Sequence, residues 1–257
     1  LTIAAVILAG SRPGRDALLG ESGVATKALL PIGGRAMLLY VVEALRAAPQ
    51  VGAITILAQN SAALAAHPAL KAVAADPRIA FVDSGAGISA SLTAVVARRD
   101  APLLVTTADN VLLTPAMIAD FLAGSSGSDV AVAMVARDNL LARYPQSRRT
   151  WLKFRGGWWS GANLFRFGGR QVLPLLDFWS NIEQDRKKGL RIVAAFGPAL
   201  LLGALLRLIT IQQAVQRAGG RFGIRDARVV AMAQAEACID ADKPADIMLI
   251  EEILSRR

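Results

Sequence analysis

Short aliphatic runs, separated by stretches of helix length, dominate the first half of the chain: Ile3 to Leu8, Ala53 to Leu57, Ile79 to Val82, Leu103 to Thr107 and Val130 to Val135. A run that is apolar at every position, rather than at alternate ones, suits a strand covered on both faces, as in a parallel sheet. Each of the first four leads through a loop into an expected helix: Ala36 to Ala48, Ser61 to Ala75, Ser89 to Arg98 and Pro115 to Ala123. The last has Thr114 at its N-cap and Pro115 at the first helical position, where a missing N–H is harmless. Strands alternating with helices imply right-handed βαβ units and a mostly parallel sheet.

From Arg137 onward the pattern loosens. Arg143 to Gly169 mixes Pro, Gly, Arg and Trp before a short strand-like run, Gly161 to Phe167, which reads as a β-rich insertion at the sheet's edge. Helical patterns follow over Ile192 to Leu208 and Ile211 to Ala218, then a strand over Arg228 to Met232. Pro244 to Leu254 closes the chain as a helix with Ile247, Ile250, Ile253 and Leu254 on one face. With 54% hydrophobic residues, no repeat and no linker-like break, residues 1–257 read as one domain.

Several chemistries drop out early. One cysteine, Cys238, excludes an intrachain disulfide framework and a Cys-rich zinc site, and one histidine, His67, excludes paired-His metal sites. His67 precedes Pro68 in an Ala-rich stretch and reads as structural or surface. Leu1 to Leu8 lacks a basic leader and enters a Gly-containing loop, so it reads as a strand rather than a signal peptide, and a cytoplasmic location is expected. The longest apolar run, Ile192 to Leu206, is broken by Gly197-Pro198 and falls short of the ~20 residues a membrane-spanning helix needs. No transmembrane span is expected, while a buried helix and a peripheral membrane contact both fit the run. Lys and Arg number 29 against 20 Asp and Glu, a formal charge of +9, which directs attention to anionic partners.

The segment after the first strand, Leu8-Ala9-Gly10-Ser11-Arg12-Pro13-Gly14-Arg15, combines glycines with cations and is followed by Lys27 and Leu30-Pro31-Ile32-Gly33-Gly34. Glycine at the carboxyl end of a parallel strand lets the backbone approach a phosphate, and Arg and Lys neutralise it. Neither G-x-G-x-x-G nor G-K-[ST] is present, which disfavours Rossmann dinucleotide binding and P-loop chemistry. A second segment, Leu104-Val105-Thr106-Thr107-Ala108-Asp109-Asn110, ends a buried strand on a carboxylate, well placed to hold Mg²⁺ against a phosphate. A third, Ile239-Asp240-Ala241-Asp242-Lys243-Pro244-Ala245-Asp246, puts carboxylates just ahead of the last helix, where Asp246 favours the positive helix end.

In their order these motifs resemble the nucleotidyltransferase superfamily, specifically its MobA-like NTP-transferase domain. The family pattern of L-A-x-G, a loop Arg, a Lys and L-x-x-(I/V)-x-G is matched by Leu8-Ala9-Gly10, Arg12 or Arg15, Lys27 and Leu30 to Leu38. The resemblance implies a three-layer α/β/α, Rossmann-like (GT-A-like) fold with a small β-rich acceptor-side insertion. It divides the domain into a nucleotide-binding half at about 1–136, an acceptor-side half at about 137–236, and a closing motif and helix at 237–257.

The family's phosphate lysine maps onto Lys27. Nucleotide contacts map onto Leu8, Ala9, Gly10, Ser11 and Gly14, and the nucleobase turn onto Ser89 or Ser91. Asp109 becomes the first Mg²⁺ ligand and Asp240 the second, with Asp242 as its alternate. Asn163, in Trp158-Trp159-Ser160-Gly161-Ala162-Asn163, matches a residue that bonds an acceptor hydroxyl, and Lys153 and Arg155 belong to the basic stretch beside it. The implied reaction moves a nucleoside monophosphate from an NTP, with CTP the guess, to a phosphorylated sugar or polyol, releasing pyrophosphate. The partners are then small molecules and not nucleic acid. Oligomeric state is not legible. A GT-A glycosyltransferase and a non-catalytic nucleotide or headgroup binder are the competing readings.

Overall fold

A computed structural model describes residues 2–10, 18–20, 24–84, 88–183 and 197–257. Its centre is a sheet ordered β10-β7-β9-β6-β1-β4-β5, with β8 paired to β9 alone. The five runs read from the sequence are β1 (Ile3–Leu8), β4 (Val51–Ala58), β5 (Ile79–Asp83), β6 (Leu103–Thr107) and β7 (Val130–Ala136). The others are β8 (Leu152–Phe154), β9 (Gly157–Phe167) and β10 (Ala227–Ala231). Pairings among β1, β4, β5 and β6, and between β7 and β10, are parallel, whereas β9 runs antiparallel to β6, β7 and β8. The sheet is thus mixed and mostly parallel, as expected.

Helices cover both faces. The expected helices are α1 (Met37–Ala47), α4 (Ile88–Ala97), α5 (Pro115–Gly124), α9 (Ile211–Gly220) and α10 (Pro244–Leu254). Side chains alternate along the strands between two cores: Ala5, Ile7, Ile56 and Leu104 face the layer of α1, α5 and α10, while Val6, Leu57 and Val105 meet Leu92 and Val96 of α4. This second layer also holds Leu176 of α7 (Leu173–Glu183), a helix the sequence pattern did not announce.

Local chemistry explains where expectations needed adjusting. The single helix expected over Ser61 to Ala75 is α2 (Ser61–Ala66), a 3₁₀ turn (Pro68–Leu70) and α3 (Lys71–Ala74). Proline pushes the residue before it out of the helical region, and His67 sits extended at φ −66°, ψ 133°, its Nδ1 accepting from the Ala69 amide at 3.3 Å. His67 is structural, as read. Gly33 and Gly34, at φ +54° and +79°, form the turn of a hairpin between β2 (Pro31–Ile32) and β3 (Arg35–Ala36). The Gly33 N–H donates to Glu251 Oε1 at 2.8 Å.

The largest correction concerns β9. It was expected as a short strand at an edge, yet it is 11 residues long and lies inside the sheet between β6 and β7. Its second half is apolar on both faces, with Ala162 and Leu164 in one core and Phe165 and Phe167 against the other, so an edge position would have left one face exposed. A short helix, α6 (Arg137–Arg143), precedes it. Of the helix expected over Ile192 to Leu208, residues 192–196 lie outside the described residues, and α8 is Pro198–Leu205.

Candidate active site

The strand order reverses between β1 and β6: the chain leaves β1 toward β4 and β5, then crosses back to pair β6 on the other side. In open α/β sheets a crevice forms at this point, outside the carboxyl ends of the two strands. The two ends are tied together by the Ala108 amide donating to Leu8 O at 3.0 Å, while the Ala9 amide ties β1 to β4 by donating to Leu57 O at 2.8 Å. The cleft between them is open to solvent and is lined by Leu8, Ala9, Gly10, Lys27 and Asp109, with Ala28, Met37 and Ala108. Five residues expected from the sequence therefore share one cleft.

Lys27 opens a 3₁₀ turn capped by Thr26, whose hydroxyl accepts from the Ala28 amide at 3.3 Å. From there its ammonium reaches Asp109 Oδ2 at 3.0 Å and Asp242 Oδ1 at 2.7 Å. Burial disfavours the charged lysine, but the pull of Asp109 and the hydrogen bonds to both carboxylates outweigh it and hold its pKa above the usual value. Asp109 is further fixed by the Thr107 hydroxyl, which donates to Oδ1 at 2.5 Å.

The closing motif arrives beside this group through the backbone, where the Ala241 amide donates to Asp109 O at 3.1 Å. Asp240 is engaged on both oxygens: Oδ1 pairs with Arg149, and Oδ2 accepts from Asn163 Nδ2 at 3.0 Å. The other arm of Arg149 pairs with Asp246, and the guanidinium is only 7% exposed. Burial, together with the negative charges of Asp242 and Asp109, raises the Asp240 pKa to about 6 despite Arg149. Cys238, two residues earlier, is buried with its thiol pushed up to about 12, an inert packing residue.

Asn163 is delivered by an irregularity in β9. Opposite β7, Val132 pairs with Phe165 and Met134 with Gly161, so β9 carries extra residues at this point. Asn163 stands in the left-handed region at φ 47°, which Asn tolerates better than most residues. Asn110, 2% exposed, joins β6 to β9 by donating to Thr106 Oγ1 and Ala162 O, both at 3.2 Å.

The expected residues thus divide. Lys27, Asp109, Asp240 and Asn163 converge, and so does the alternate Asp242. Lys153 instead lies 4.3 Å over the Trp158 ring, and Arg155 is exposed, its amide donating to Ile209 O at 3.0 Å. Ser91 is buried in α4 at 5% exposure. Ser11, Arg12, Gly14 and Arg15 lie outside the described residues, as does the side chain of Ser89. Arg149 and Asn110 went unassigned in the sequence. Arg149 is one cation in a basic stretch that reads as a solvated face, and only its burial in three dimensions distinguishes it.

Around Lys27 and Arg149 stand four carboxylates, Asp109, Asp240, Asp242 and Asp246, an excess of negative charge on hard oxygen donors. Among the described residues no three acidic, His or Cys side chains close a metal cage. Mg²⁺ seldom uses such a cage, binding one or two carboxylates plus substrate phosphates, so the donor set fits that ion.

Comparison with known proteins identifies the family and the fold. The family model described as the MobA-like NTP transferase domain matches residues 5–219. No curated protein matches the chain. Among solved structures, a hypothetical transferase from Thermus thermophilus superposes with a TM-score of 0.79 at 26% identity, covering 96% of this chain and 100% of that one. A CMP:2-keto-3-deoxy-manno-octonic acid synthetase complexed with CTP gives 0.61 at 14% identity, covering 100% and 99%. The 4-diphosphocytidyl-2C-methyl-D-erythritol synthase of Anaerococcus prevotii gives 0.60 at 11%, covering 99% and 96%. The last two likenesses are of fold.

Proposed function

The chain belongs to the MobA-like NTP transferase domain family and is a nucleotidyltransferase, and from that premise we propose that it transfers a nucleoside monophosphate from CTP to a phosphorylated sugar or polyol. Family membership sets aside the glycosyltransferase and the non-catalytic binder. The observation that carries the reading is the convergence of Asp109 and Asp242 on the Lys27 ammonium at the switch-point crevice, at 3.0 and 2.7 Å. The cytidine preference takes its support from the two fold neighbours whose names carry a cytidine nucleotide.

In the proposed reaction an oxygen of the acceptor phosphate attacks the α-phosphorus in line. The bond from α-phosphorus to the bridging oxygen breaks, and pyrophosphate leaves with that electron pair. No protein nucleophile is required, so the residues act by positioning and by neutralising charge. Lys27 exchanges its carboxylate partners for the nucleotide phosphates, with the expected Arg12 or Arg15 beside it. Leu8, Ala9 and Gly10 bring backbone to the phosphates, joined by the expected Ser11 and Gly14, and Ser89 or Ser91 serves the base. Asn163 bonds an acceptor hydroxyl from its left-handed position, while Lys153 and Arg155, expected beside it, stand apart from the converging residues.

Mg²⁺, when bound, would screen the α-phosphate and polarise it toward attack. Asp109 and a carboxylate of the closing motif would hold it. Asp242 is better placed than Asp240, because its partner is a lysine that can move away, whereas Asp240 is clasped by a buried arginine and an asparagine.

A panel of four NTPs against phosphorylated sugars and polyols, read by pyrophosphate release, tests the reading. Release that needs CTP, Mg²⁺ and one acceptor class is expected. NTP binding with no release across the whole panel would refute it.

A further inference from the structure

Away from the crevice, the exposed apolar surface gathers on α8 and the turn after it. None of the described helices is long and apolar enough to cross a membrane. Gly203 of α8 turns inward: a Cβ there would meet the side chain of Ile209, itself 5% exposed, at 3.6 Å. The rest of the segment exposes Leu202 by 54%, Leu205 by 78%, Leu206 by 56% and Leu208 by 60%. The neighbouring strand β8, against which α8 packs, adds Leu152 at 46%. Scattered exposed leucines are ordinary, but five on adjoining elements form a patch that calls for an occupant.

The surroundings of the patch indicate its chemistry. Arg207 stands between Leu206 and Leu208, in the left-handed region at φ 56°. Its guanidinium lies 6.0 Å from the centre of the Trp158 ring, over which Lys153 and Arg137 also sit, at 4.3 and 4.9 Å. Three cations therefore share one indole beside the leucines. Asp138, 98% exposed and 3.8 Å from Arg137, is the acid paired there among the described residues. Leucines that can enter an acyl boundary, with cations and an indole at their rim, are the elements of an interfacial anchor. A second copy of the chain fits poorly, since a self-complementary contact would set Arg207 and Lys153 against like charges.

We propose that this surface docks the protein on an anionic lipid bilayer, with Leu202, Leu205, Leu206 and Leu208 at the acyl boundary and Arg207 and Lys153 among the headgroup phosphates. The formal charge of +9 adds long-range attraction to the same surface. Trp159, next to Trp158, pairs with Ala136 at the carboxyl end of β7, so the patch borders the sheet edge that also carries Asp109. The inference is independent of which nucleotide or acceptor is used.

Sedimentation of the whole protein with vesicles tests it. Equimolar phosphatidylcholine and phosphatidylglycerol should pellet the wild type, and phosphatidylcholine alone should pellet it several-fold less. Replacing Leu202, Leu205, Leu206 and Leu208 together by Gln should weaken pelleting by more than about ten-fold. Arg207→Gln should weaken it by about five-fold. The four leucines are more than half exposed, so melting temperature and NTP affinity should hold; should the quadruple variant fold poorly, Leu205→Gln alone carries the comparison. Equal pelleting with neutral vesicles, no pelleting, or pelleting unchanged by the leucine replacements would overturn the proposal. So would a dimer in light scattering that the leucine replacements dissolve without any vesicle binding, which would assign the patch to a second copy.

Discussion

Arg149 fixes the closing motif by holding Asp240 and Asp246 from a position 7% exposed. Removing one partner of a buried ion pair leaves charge uncompensated, at a cost of about 3–5 kcal/mol. Arg149→Met should therefore lower the melting temperature by on the order of 10 °C for a chain of this size and depress turnover, with calorimetry and pyrophosphate release as readouts. Lys27→Ala should behave differently. Its ammonium separates Asp109 and Asp242, and without it turnover should fall by about 10²–10³-fold. In EDTA this variant should also melt somewhat below wild type, and saturating Mg²⁺ should restore it. A third expectation concerns pH. Asp240 has a native pKa raised from 3.8 to about 6, so between those values the folded protein binds more protons than the unfolded chain, and this group's contribution makes stability fall as pH rises. Comparing Asp240→Asn with wild type in EDTA, the difference in melting temperature should shift in favour of the variant between pH 4 and pH 6.5, and a shift in the opposite direction would contradict the assigned environment.

Strands β1 and β6 and helix α10 have the bounds the sequence suggested, because each is a continuous apolar run or is opened by a proline at its first turn. Strand β9 was recognised only in part and misplaced, since its neighbours β6 and β7 lie far away in the chain and its first half is Gly, Trp and Ser, without a strong period. The irregularity at Asn163 was equally hidden, being a property of the pairing rather than of the residue. That irregularity can be tested. Asn163→Ala should destabilise by about 1–2 kcal/mol, because a Cβ without a compensating polar side chain is strained at φ 47°, whereas Asn163→Gly should cost less. If the amide binds the acceptor, both variants should show a similarly raised KM for it. Equal thermal stability of the two variants would instead place the strain elsewhere.

Across the whole molecule, the order β5-β4-β1-β6 creates a crevice in which residues 27, 109 and 242 meet. The sequence placed Asp109 from its strand end, since it follows β6 at the carboxyl edge next to β1, whereas Lys27 and the closing motif follow no strand directly and were matched only through the family resemblance. Which carboxylate of Asp240 and Asp242 faces the lysine was not legible: the two stand two residues apart, and the choice is made by Arg149 and Asn163, 91 and 77 positions upstream of Asp240. The central claim is that nucleotidyl transfer occurs at Asp109 in this crevice. Its most direct test is Mg²⁺-dependent, acceptor-dependent pyrophosphate release by wild type and by Asp109→Asn under identical conditions. Release by the wild type and a loss of at least about 10²-fold in the variant, with the fold intact, are predicted. Equal release by both proteins would contradict the account.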